Sequence, residues 1–409
     1  MIHSHLLHRL LFSTRPWLRS WSGDWGRRAA RLVFGLHPVA SVRSRSFDEA
    51  TRWCADKPLL SVVIPCFNHG EYLQRALASL AQQSFQDFEI ILVDDGSDDP
   101  STLALLAALE VSGLTLLTQP NRGPSAARNA GIDRALGRFI CCLDADDQLA
   151  PTYLEKCLLL LEGNLGIRLA YSWVRLMGGE HRLHRAADFD PGLLRYFNSI
   201  CVSAVFHRED WQFAGGFDEA REAMFEDWDF WLGLAERGVR GKVIREPLLF
   251  YQRQTGSRLE AASRHALSSF RRIRGRHPRL YQGRAFLRSL VNGYFDRWTR
   301  SPLFNMSRPG QYQEVAPGAV ALVVSRPTRE DWSAWRRHLA ELPASAPLFV
   351  IAGECRQLPD WLLRRAAATY WLEHLLHRSQ WPDFISNFLR TRGIVQLQLR
   401  RAAVAGSPR

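Results

Sequence analysis

Short apolar runs alternate with stretches of helical spacing along the first half of the chain. The runs cover residues 59–64, 90–93 and 139–143, and the helical patterns cover residues 72–80, 103–109 and 126–136. Each apolar run ends in polar residues and is followed by a helical pattern, an order typical of parallel strands with crossover helices. We therefore predict an α/β fold with a Rossmann-like, mostly parallel sheet.

Polar side chains follow these predicted strands at the point where each strand ends. They are Asn68 after the first run, Asp94 and Asp95 after the second, and Asp144, Asp146 and Asp147 after the third. Ligands of such sheets bind beyond the carboxyl ends of the strands, so we expect these side chains to converge on one site. For each motif taken alone, an Asp-rich turn or a helix cap is the alternative.

The three carboxylates after the third strand predict a metal site. Adjacent like charges raise one another's pKa, and a divalent cation relieves the repulsion. Carboxylate oxygens suit Mg²⁺ or Mn²⁺, ions that usually also hold substrate phosphates. We expect Asp144 and Asp146 to be the ligands, with Asp147 sharing the role or orienting its neighbours. The alternative is a solvated turn or a cap before a helix near Pro151.

A series of motifs over about residues 58–260 resembles glycosyltransferase family 2. They are SVVIPCFN at 61–68, VDDGS at 93–97, NRG at 121–123 with ARNAG at 127–131, LDADD at 143–147, GGFD at 215–218 and FEDWDFW at 225–231. The resemblance implies the GT-A fold, a nucleotide-diphosphosugar donor and, usually, inversion at the sugar carbon. Each motif alone is weak, whereas the set in this order is specific.

For the donor, the resemblance implies that Asp144 and Asp146 hold a Mn²⁺ or Mg²⁺ ion that bridges the diphosphate. It places Asp95 at the nucleobase, where a carboxylate accepts from the imide N–H of uracil or thymine, with Asp94 nearby. An Asp-Gly-Ser turn is the alternative for that pair.

Three further residues complete the expected donor side. The resemblance puts Pro65 and Asn68 beside the nucleoside, although Asn-His-Gly is also a competent helix-entry loop. Arg128 falls on a predicted helix after Pro124 and would reach the diphosphate as a charged donor. A surface arginine is the alternative there.

On the acceptor side, the resemblance implies that Asp227 is the catalytic base and that Glu226 supports it. Asp227 stands at the start of a helix predicted over 229–237, where the helix dipole should depress its pKa and keep it ionised. A simple helix cap is the alternative. Gly216 and Asp218 precede it in a loop that lets the backbone approach the acceptor. One departure from the family is Gln254, at a place where a His often contacts metal or phosphate, and this substitution predicts weaker metal affinity.

The charge balance is basic, with a formal net charge of +12. A basic protein can bind nucleic acid, an anionic membrane or an anionic substrate, but an arginine-rich, lysine-poor composition can also only reflect the base composition of the genome. No DNA- or RNA-binding motif accompanies the charge, so we exclude a nucleic-acid partner. The N-terminal extension at 1–57 is rich in Trp and Arg, and a predicted helical segment at 261–300 is rich in Arg. Together they predict peripheral contact with the anionic inner membrane, and a disordered basic extension with a solvated helix face is the alternative.

Cysteine spacing and hydropathy bear on the compartment. Seven cysteines form no regular pattern and no Cys-x-x-Cys pair. No stretch approaches the roughly 18–20 apolar residues that span a bilayer, and the N-terminus does not resemble a signal peptide. We expect a reduced, cytoplasmic protein.

Five regions are predicted along the chain. These are a basic extension at 1–57, the GT-A domain at 58–260, an Arg-rich helical segment at 261–300, a linker at 301–318 and a small Rossmann-like α/β region at 319–409. In the last region, strands at 320–324 and 348–352 flank a helix at 332–342, and the residues after them faintly resemble the first half of a GT-B glycosyltransferase. We assign it no chemistry.

The combined prediction is an inverting, metal-dependent glycosyltransferase. It would move a hexose from a UDP- or dTDP-sugar to a glycan or lipid-linked saccharide, in bacterial surface polysaccharide biosynthesis. The alternative is a catalytically impaired GT-A domain that binds sugar nucleotides as a scaffold in a glycan assembly complex. The intact acids argue against that alternative, and Gln254 argues weakly for it.

Overall fold

The computed structural model describes residues 57–109, 114–178, 182–220, 225–253, 266–281, 318–324, 327, 329–355, 357–392, 394 and 396–400. All of them belong to a unit that spans residues 55–409. The predicted extension at 1–57 and the linker at 301–318 lie almost entirely outside the described residues. Of the predicted helical segment at 261–300, residues 266–281 are described.

A nine-stranded mixed sheet forms the larger part of the fold. Its strand order is β3-β2-β1-β4-β8-β6-β9-β5, with β7 paired to β6. The strands are β1 Leu60–Cys66, β2 Phe88–Asp94, β3 Thr115–Thr118, β4 Phe139–Cys142, β5 Gln148–Leu149, β6 Leu169–Met177, β7 Leu183–His184, β8 Val205–His207 and β9 Gly241–Gln252. β3, β2, β1 and β4 run parallel, whereas β8 pairs antiparallel with β4. The three apolar runs are β1, β2 and β4, and the expected α/β fold is confirmed.

Helices cover the faces of this sheet. They are α1 Gly70–Ala81, α2 Pro100–Leu109, α3 Pro124–Arg134, α4 Tyr153–Gly163, α5 Pro191–Leu194, α6 Arg208–Ala214, α7 Glu226–Glu236, α8 Ala266–Arg276 and α9 Pro278–Tyr281. The helical patterns at 72–80 and 103–109 fall within α1 and α2, and that at 126–136 coincides with α3 but extends two residues beyond its end at Arg134. Helix α7 begins at Glu226 rather than at Asp229, because Phe225 turns the chain into the helix with a left-handed backbone (φ 64°).

A second, four-stranded parallel sheet lies in the C-terminal lobe, the name used here for the described residues from 318 to 400. Its order is β12-β11-β10-β13. The strands are β10 Val320–Val324, β11 Leu348–Ala352, β12 Ala368–Trp371 and β13 Gln396–Arg400, and the helices are α10 Arg329–Ala340, α11 Asp360–Arg365, α12 Leu372–Leu375 and α13 Trp381–Thr391. β10, α10 and β11 match the predicted βαβ pattern, and β12 and β13 extend it. The likeness to a GT-B half stays a prediction.

The C-terminal lobe packs on helix α4, whose residues from Tyr153 to Leu161 are all buried. A helix that is buried on every side needs partners on every side. Strands β6, β8 and β9 contact one side, and α12 of the C-terminal lobe contacts another. The lobe therefore completes the core around α4.

A buried polar group, the rear cluster of Ser84, Glu155, Tyr370 and Arg392, joins the two sheets. Arg392 Nη2 donates to Glu155 Oε1 at 2.6 Å, and both side chains are 2% exposed or less. The hydroxyls of Tyr370 and Ser84 donate to Glu155 Oε2 at 2.9 and 2.7 Å. Both oxygens of the buried carboxylate are thus satisfied, as a buried charge requires.

The helices of the described residues are too short or too polar to cross a lipid bilayer.

Candidate active site

The predicted polar strand ends do meet at one edge of the large sheet. Strand β1 pairs with β2 on one side and with β4 on the other, in parallel register. Its last residue, Cys66, accepts a hydrogen bond from the backbone N–H of Asp95 at 2.8 Å. The loops that carry the asparagine and aspartate motifs are therefore neighbours.

Asn68 joins the loops that follow β1 and β2. Its backbone has a positive φ of 54°, a conformation that asparagine tolerates. Its Oδ1 accepts from the backbone N–H groups of Asp98 and Asp99, both at 3.0 Å, and its Nδ2 donates to Asp98 Oδ1 at 2.6 Å. Pro65 lies within β1, opposite Val93. Asn68 therefore fixes the two loops to each other, and Pro65 lies in the strand that leads to them.

Asp94 and Asp95 are buried and hold two different turns. Asp94 Oδ1 accepts from the backbone N–H of Ser97 at 3.0 Å, which is the turn that the sequence allowed as an alternative. The Asp95 carboxylate instead fixes the loop that leads into α3. Its donors are the Gln119 side chain at 2.7 Å and the backbone N–H groups of Arg122 at 2.9 Å and Gly123 at 2.8 Å. Oδ2 carries one of these bonds and retains accepting capacity.

The acid cluster after β4 concentrates negative charge. Burial, and then the charge of Asp144, raises the pKa of Asp146 to about 6, although His69 opposes this shift. Burial and both neighbouring carboxylates raise the pKa of Asp147 well above its ordinary value. Asp147 Oδ1 accepts from the backbone N–H of Gln252 at 3.0 Å, so this side chain is turned toward β9.

Asp144 and Asp146 are the expected ligands of the divalent cation. In the described part of the chain, no three His, Cys, Asp or Glu side chains form a ready-made metal site. Asp144 and Asp146 nevertheless supply carboxylate oxygens whose mutual repulsion a hard cation would relieve. The donor set therefore fits Mn²⁺ or Mg²⁺ completed by phosphate and water. Gln254, the departure noted above, lies outside the described residues.

Arg128 is buried, so the surface alternative for this residue is wrong. Its Nη2 donates to Asp144 Oδ1 at 2.7 Å and its Nη1 donates to Glu226 Oε1 at 2.9 Å. Burial acts to lower its pKa, but Asp144 and then Glu226 raise it above its usual range. We call Arg128, Asp144 and Glu226 the front cluster. It joins the acids after β4 to the start of α7.

Asp227 lies beside this cluster, half-buried at the start of α7. Its Oδ1 accepts from the backbone N–H of Trp228 at 2.7 Å, and its Oδ2 accepts from Asn198 Nδ2 at 3.2 Å. The expected depression of its pKa is wrong. Burial, and then the neighbouring Glu226 carboxylate, raises the pKa of Asp227 to about 7, and together they outweigh the backbone N–H at the helix start.

The loop with Gly216 packs tightly against α3. Gly216 has a φ of 78°, and a Cβ there would lie 2.9 Å from Asn129 Oδ1. Asn129 Oδ1 accepts from Trp211 Nε1 and from the backbone N–H of Phe217, at 3.0 and 2.9 Å. Asn129 thereby fixes the loop that the sequence assigned to the acceptor.

Asp218 anchors helix α8, which was unexpected. Its Oδ2 accepts from Arg272 Nη2 at 2.8 Å and lies 3.5 Å from Arg276 Nη1. Although burial acts in the opposite direction, the hydrogen bonds from Arg272 lower the pKa of Asp218. Arg276 Nε also donates to Asp229, at 3.1 Å to each oxygen. Two arginines expected at a membrane surface thus pair with acids of the domain.

Three neighbours of the acids were missed by the sequence analysis. Asn198 and Cys201 lie between β7 and β8, and Tyr251 is the penultimate residue of β9. Burial and the nearby aspartates raise the pKa of Cys201 and of Tyr251, which places both side chains at the border of the acid cluster. Only a three-dimensional arrangement identifies them, because no motif contains them.

Comparisons with known proteins bear on the whole arrangement. The family model described as "Glycosyl transferase family 2" matches residues 61–221. An amylovoran biosynthesis glycosyltransferase, AmsB, of Erwinia amylovora is 32% identical over 48% of this chain and 70% of its own length. An uncharacterized glycosyltransferase of Haemophilus influenzae is 37% identical over 31% of this chain. The match covers 52% of that relative, so the chain spans about half of its length.

A solved structure is also similar. The crystal structure of S. aureus TarS 1-349 in complex with UDP-GlcNAc is 20% identical, with a TM-score of 0.46 over 58% of this chain and 72% of that chain.

Proposed function

The chain belongs to glycosyltransferase family 2, and we propose that it moves a hexose from a UDP- or dTDP-sugar to a saccharide acceptor with inversion at the sugar carbon. Its mixed α/β sheet has the architecture expected of the family's GT-A fold. The observation that carries the proposal is Arg128, which ties Asp144 at the expected donor side to Glu226 next to the candidate base.

The donor side has the residues that a nucleotide diphosphate requires. Asp144 and Asp146 would hold the Mn²⁺ or Mg²⁺ ion, which when bound neutralises charge on the leaving diphosphate. Arg128 keeps Asp144 oriented toward that site and adds fixed positive charge beside it. Asp95, with accepting capacity left on Oδ2, would take the imide N–H of uracil or thymine. Asn68 fixes the loops that follow β1 and β2, and both it and Pro65 would lie beside the nucleoside.

The acceptor side has one group suited to take a proton. An inverting transfer needs a base that removes the acceptor hydroxyl proton as the oxygen attacks the sugar carbon. A general base works best with a pKa near the operating pH, and the pKa of Asp227 lies at about 7. Glu226 is held by Arg128 and raises that pKa, so it supports the base. Gly216 and Asp218 shape the adjoining loop.

A glycan or a lipid-linked saccharide is the proposed acceptor, within bacterial surface polysaccharide biosynthesis. The Erwinia amylovora relative, named for amylovoran biosynthesis, supports a glycan product. We also keep the proposal of a cytoplasmic protein in peripheral contact with the anionic inner membrane. It now depends on the basic extension at 1–57 and on arginines other than Arg272 and Arg276, because those two pair with acids.

The test is turnover of a panel of UDP- and dTDP-sugars, with and without Mn²⁺, by the wild type and by Asp227→Asn. The amide keeps the shape of the side chain and removes its basicity. We expect transfer to fall by at least ~10²-fold, the usual scale for a general base, while calorimetric donor binding is retained. Asp133→Asn, at an exposed position of α3, is the matched control and should behave as wild type.

Two outcomes would contradict the proposal. An Asp227→Asn rate within about threefold of wild type would remove Asp227 from the chemistry. Donor binding without turnover of any sugar in the wild type would favour the scaffold alternative.

A further inference from the structure

We propose that Asn198 is the positioning residue of the base, holding the Asp227 carboxylate in one orientation across the start of α7. The inference rests on the proposed function, in which Asp227 takes the acceptor proton. It concerns a residue that no motif in the sequence marks. Its support is the way the chain from Leu194 to Ile200, called here the strap, is attached to α7.

The strap is tied to α7 by three hydrogen bonds. Near one end, Trp228 Nε1 donates to the carbonyl oxygen of Leu194 at 2.5 Å. At the other end, Trp231 Nε1 donates to the carbonyl oxygen of Ile200 at 3.3 Å. Between these two bonds lies that from Asn198 to Asp227. The two tryptophans fix the distance between the strap backbone and α7, so the Asn198 side chain has little freedom to move away from the Asp227 carboxylate.

Helix α9 supports the strap from another direction. Arg195 Nη1 donates to the carbonyl oxygen of Leu280 at 2.9 Å, and the Tyr281 hydroxyl donates to the carbonyl oxygen of Arg195 at 2.9 Å. Phe270 of α8 packs against both Trp228 and Tyr281. The strap is therefore held between α7 and the α8–α9 segment.

The strap also decides which end of the Asn198 amide faces the base. Asn198 Oδ1 accepts from the backbone N–H of Ile200 at 3.0 Å. A backbone N–H can only donate, so the oxygen must lie on that side and the NH₂ group must face Asp227. The orientation is fixed by the chain itself and does not depend on a bound substrate.

A neutral donor at this place has a specific use. Asp227 faces charged or titratable groups from several elements: Glu226 on α7, Arg128 on α3, Asp144 after β4 and Cys201 just beyond the strap. The acids among them disfavour the ionised base. An amide N–H stabilises the ionised carboxylate without titrating, and so keeps the base usable at neutral pH. The hydrogen bond from Asn198 to Oδ2 also holds the Asp227 carboxylate in one orientation relative to the acceptor.

The experiment compares Asn198→Leu and Asn198→Asp with wild type, using the sugar nucleotide that the panel shows to be turned over. Asn198→Leu keeps the size and removes the donor, and we expect kcat to fall roughly 10-fold with the acidic limb of the pH profile moved to higher pH. Asn198→Asp places a second carboxylate opposite the Asp227 carboxylate, and we expect it to move the acidic limb to still higher pH. The dissociation constant for UDP with Mn²⁺ should stay within about threefold of wild type.

Tyr196→Phe is the matched control on the same strap, because it changes an exposed ring and leaves the three hydrogen bonds in place. A merely structural role of Asn198 would lower the melting temperature and the amount of active enzyme without moving the pH profile. That result, or an unchanged kcat and profile in Asn198→Leu, would overturn the inference.

Failure of the inference is distinguishable from failure of the proposed function. If Asp227→Asn is inactive and Asn198→Leu is normal, only the inference falls. If Asp227→Asn stays active, the base assignment itself is wrong. If the wild type turns over no sugar, the Asp227 carboxyl resonance, identified by its loss in Asp227→Asn, reports the pKa directly. It should titrate at higher pH in Asn198→Leu, and an unchanged titration would refute the inference.

Discussion

Two buried arginines, Arg128 and Arg392, meet carboxylates under different conditions. In the rear cluster, Arg392 and Glu155 are both 2% exposed or less. In the front cluster, Arg128 is 4% exposed, but the side chain of its partner Asp144 is 29% exposed. The rear pair is closed to solvent on all sides, whereas the front pair opens on one side to the edge of the sheet.

The difference separates a structural ion pair from one that can serve a ligand. Glu155 accepts hydrogen bonds from Arg392, Tyr370 and Ser84 within the protein, and its side chain is 1% exposed, so a ligand has no access to it. Asp144 faces solvent and can still accept a cation, while Arg128 keeps it in place. A buried charge alone therefore does not mark an active site, because a ligand also needs a side of the ion pair that is open to it.

The largest expected effect is on stability, at the rear. Arg392→Met should lower the free energy of unfolding by about 3–5 kcal/mol, because it leaves the Glu155 charge buried and unpaired. Urea denaturation followed by circular dichroism measures the loss. Glu155→Gln in the same chain should recover part of it by removing that charge. A wild-type urea midpoint in Arg392→Met would contradict the rear cluster as described.

The next effect is on turnover, at the front. Arg128→Met should lower transfer by at least ~10²-fold, the scale for removing one fixed charge from an active site. Arg128→Lys should also be impaired, because one ammonium group cannot bridge Asp144 and Glu226 in the way a guanidinium does. Arg128→Lys should thus lose more turnover than stability, whereas Arg392→Lys should lose more stability than turnover. Equal behaviour of the two lysine variants would abolish the distinction.

The smallest effect is a pH dependence of turnover, which should depend on the front cluster and Asp227 and not on the rear cluster. The proposed base, Asp227, would act when ionised, so with saturating donor and Mn²⁺ we expect turnover to rise about tenfold per pH unit below pH 7 and to level off above it. The stability contribution of Asp227 has the opposite sign. Its pKa is raised from 3.8 to about 7 on folding, so the folded state keeps a proton that the unfolded state loses, and stability falls as pH rises through that window.

Arg392→Met supplies the matching check on this pH dependence. Its acidic limb should coincide with that of wild type at a temperature where both are folded. A shifted limb would mean that the rear cluster reaches the active site.

The strand–helix order was predictable because it is local. The runs at 59–64, 90–93 and 139–143 needed only periodicity and turn residues to be placed in β1, β2 and β4. The polar strand ends followed from the topology of parallel sheets. The pKa of Asp227 did not follow, because the helix start is visible in the sequence and the burial beside Glu226 is not.

The partners of the site residues were also beyond the sequence. Asp95 and Asp218 were placed by motif, but their hydrogen-bond partners come from loops and helices far along the chain. Asn198 has no motif around it. The rear cluster is harder still, because Glu155 is a charged residue of α4 and is only 1% exposed. Its burial depends on the C-terminal lobe, and no local pattern encodes how that lobe packs on α4.

The rear cluster also affects when the protein can complete its folding during synthesis. Glu155 and Arg392 are 237 residues apart in the chain. At roughly 5–20 residues per second, a ribosome needs about 12–47 s to synthesise the chain between them. Throughout that interval the nascent large sheet carries α4 with one face uncovered and a carboxylate awaiting its arginine. We therefore expect the nascent chain that carries α4 to bind chaperones until the segment with Arg392 has been synthesised.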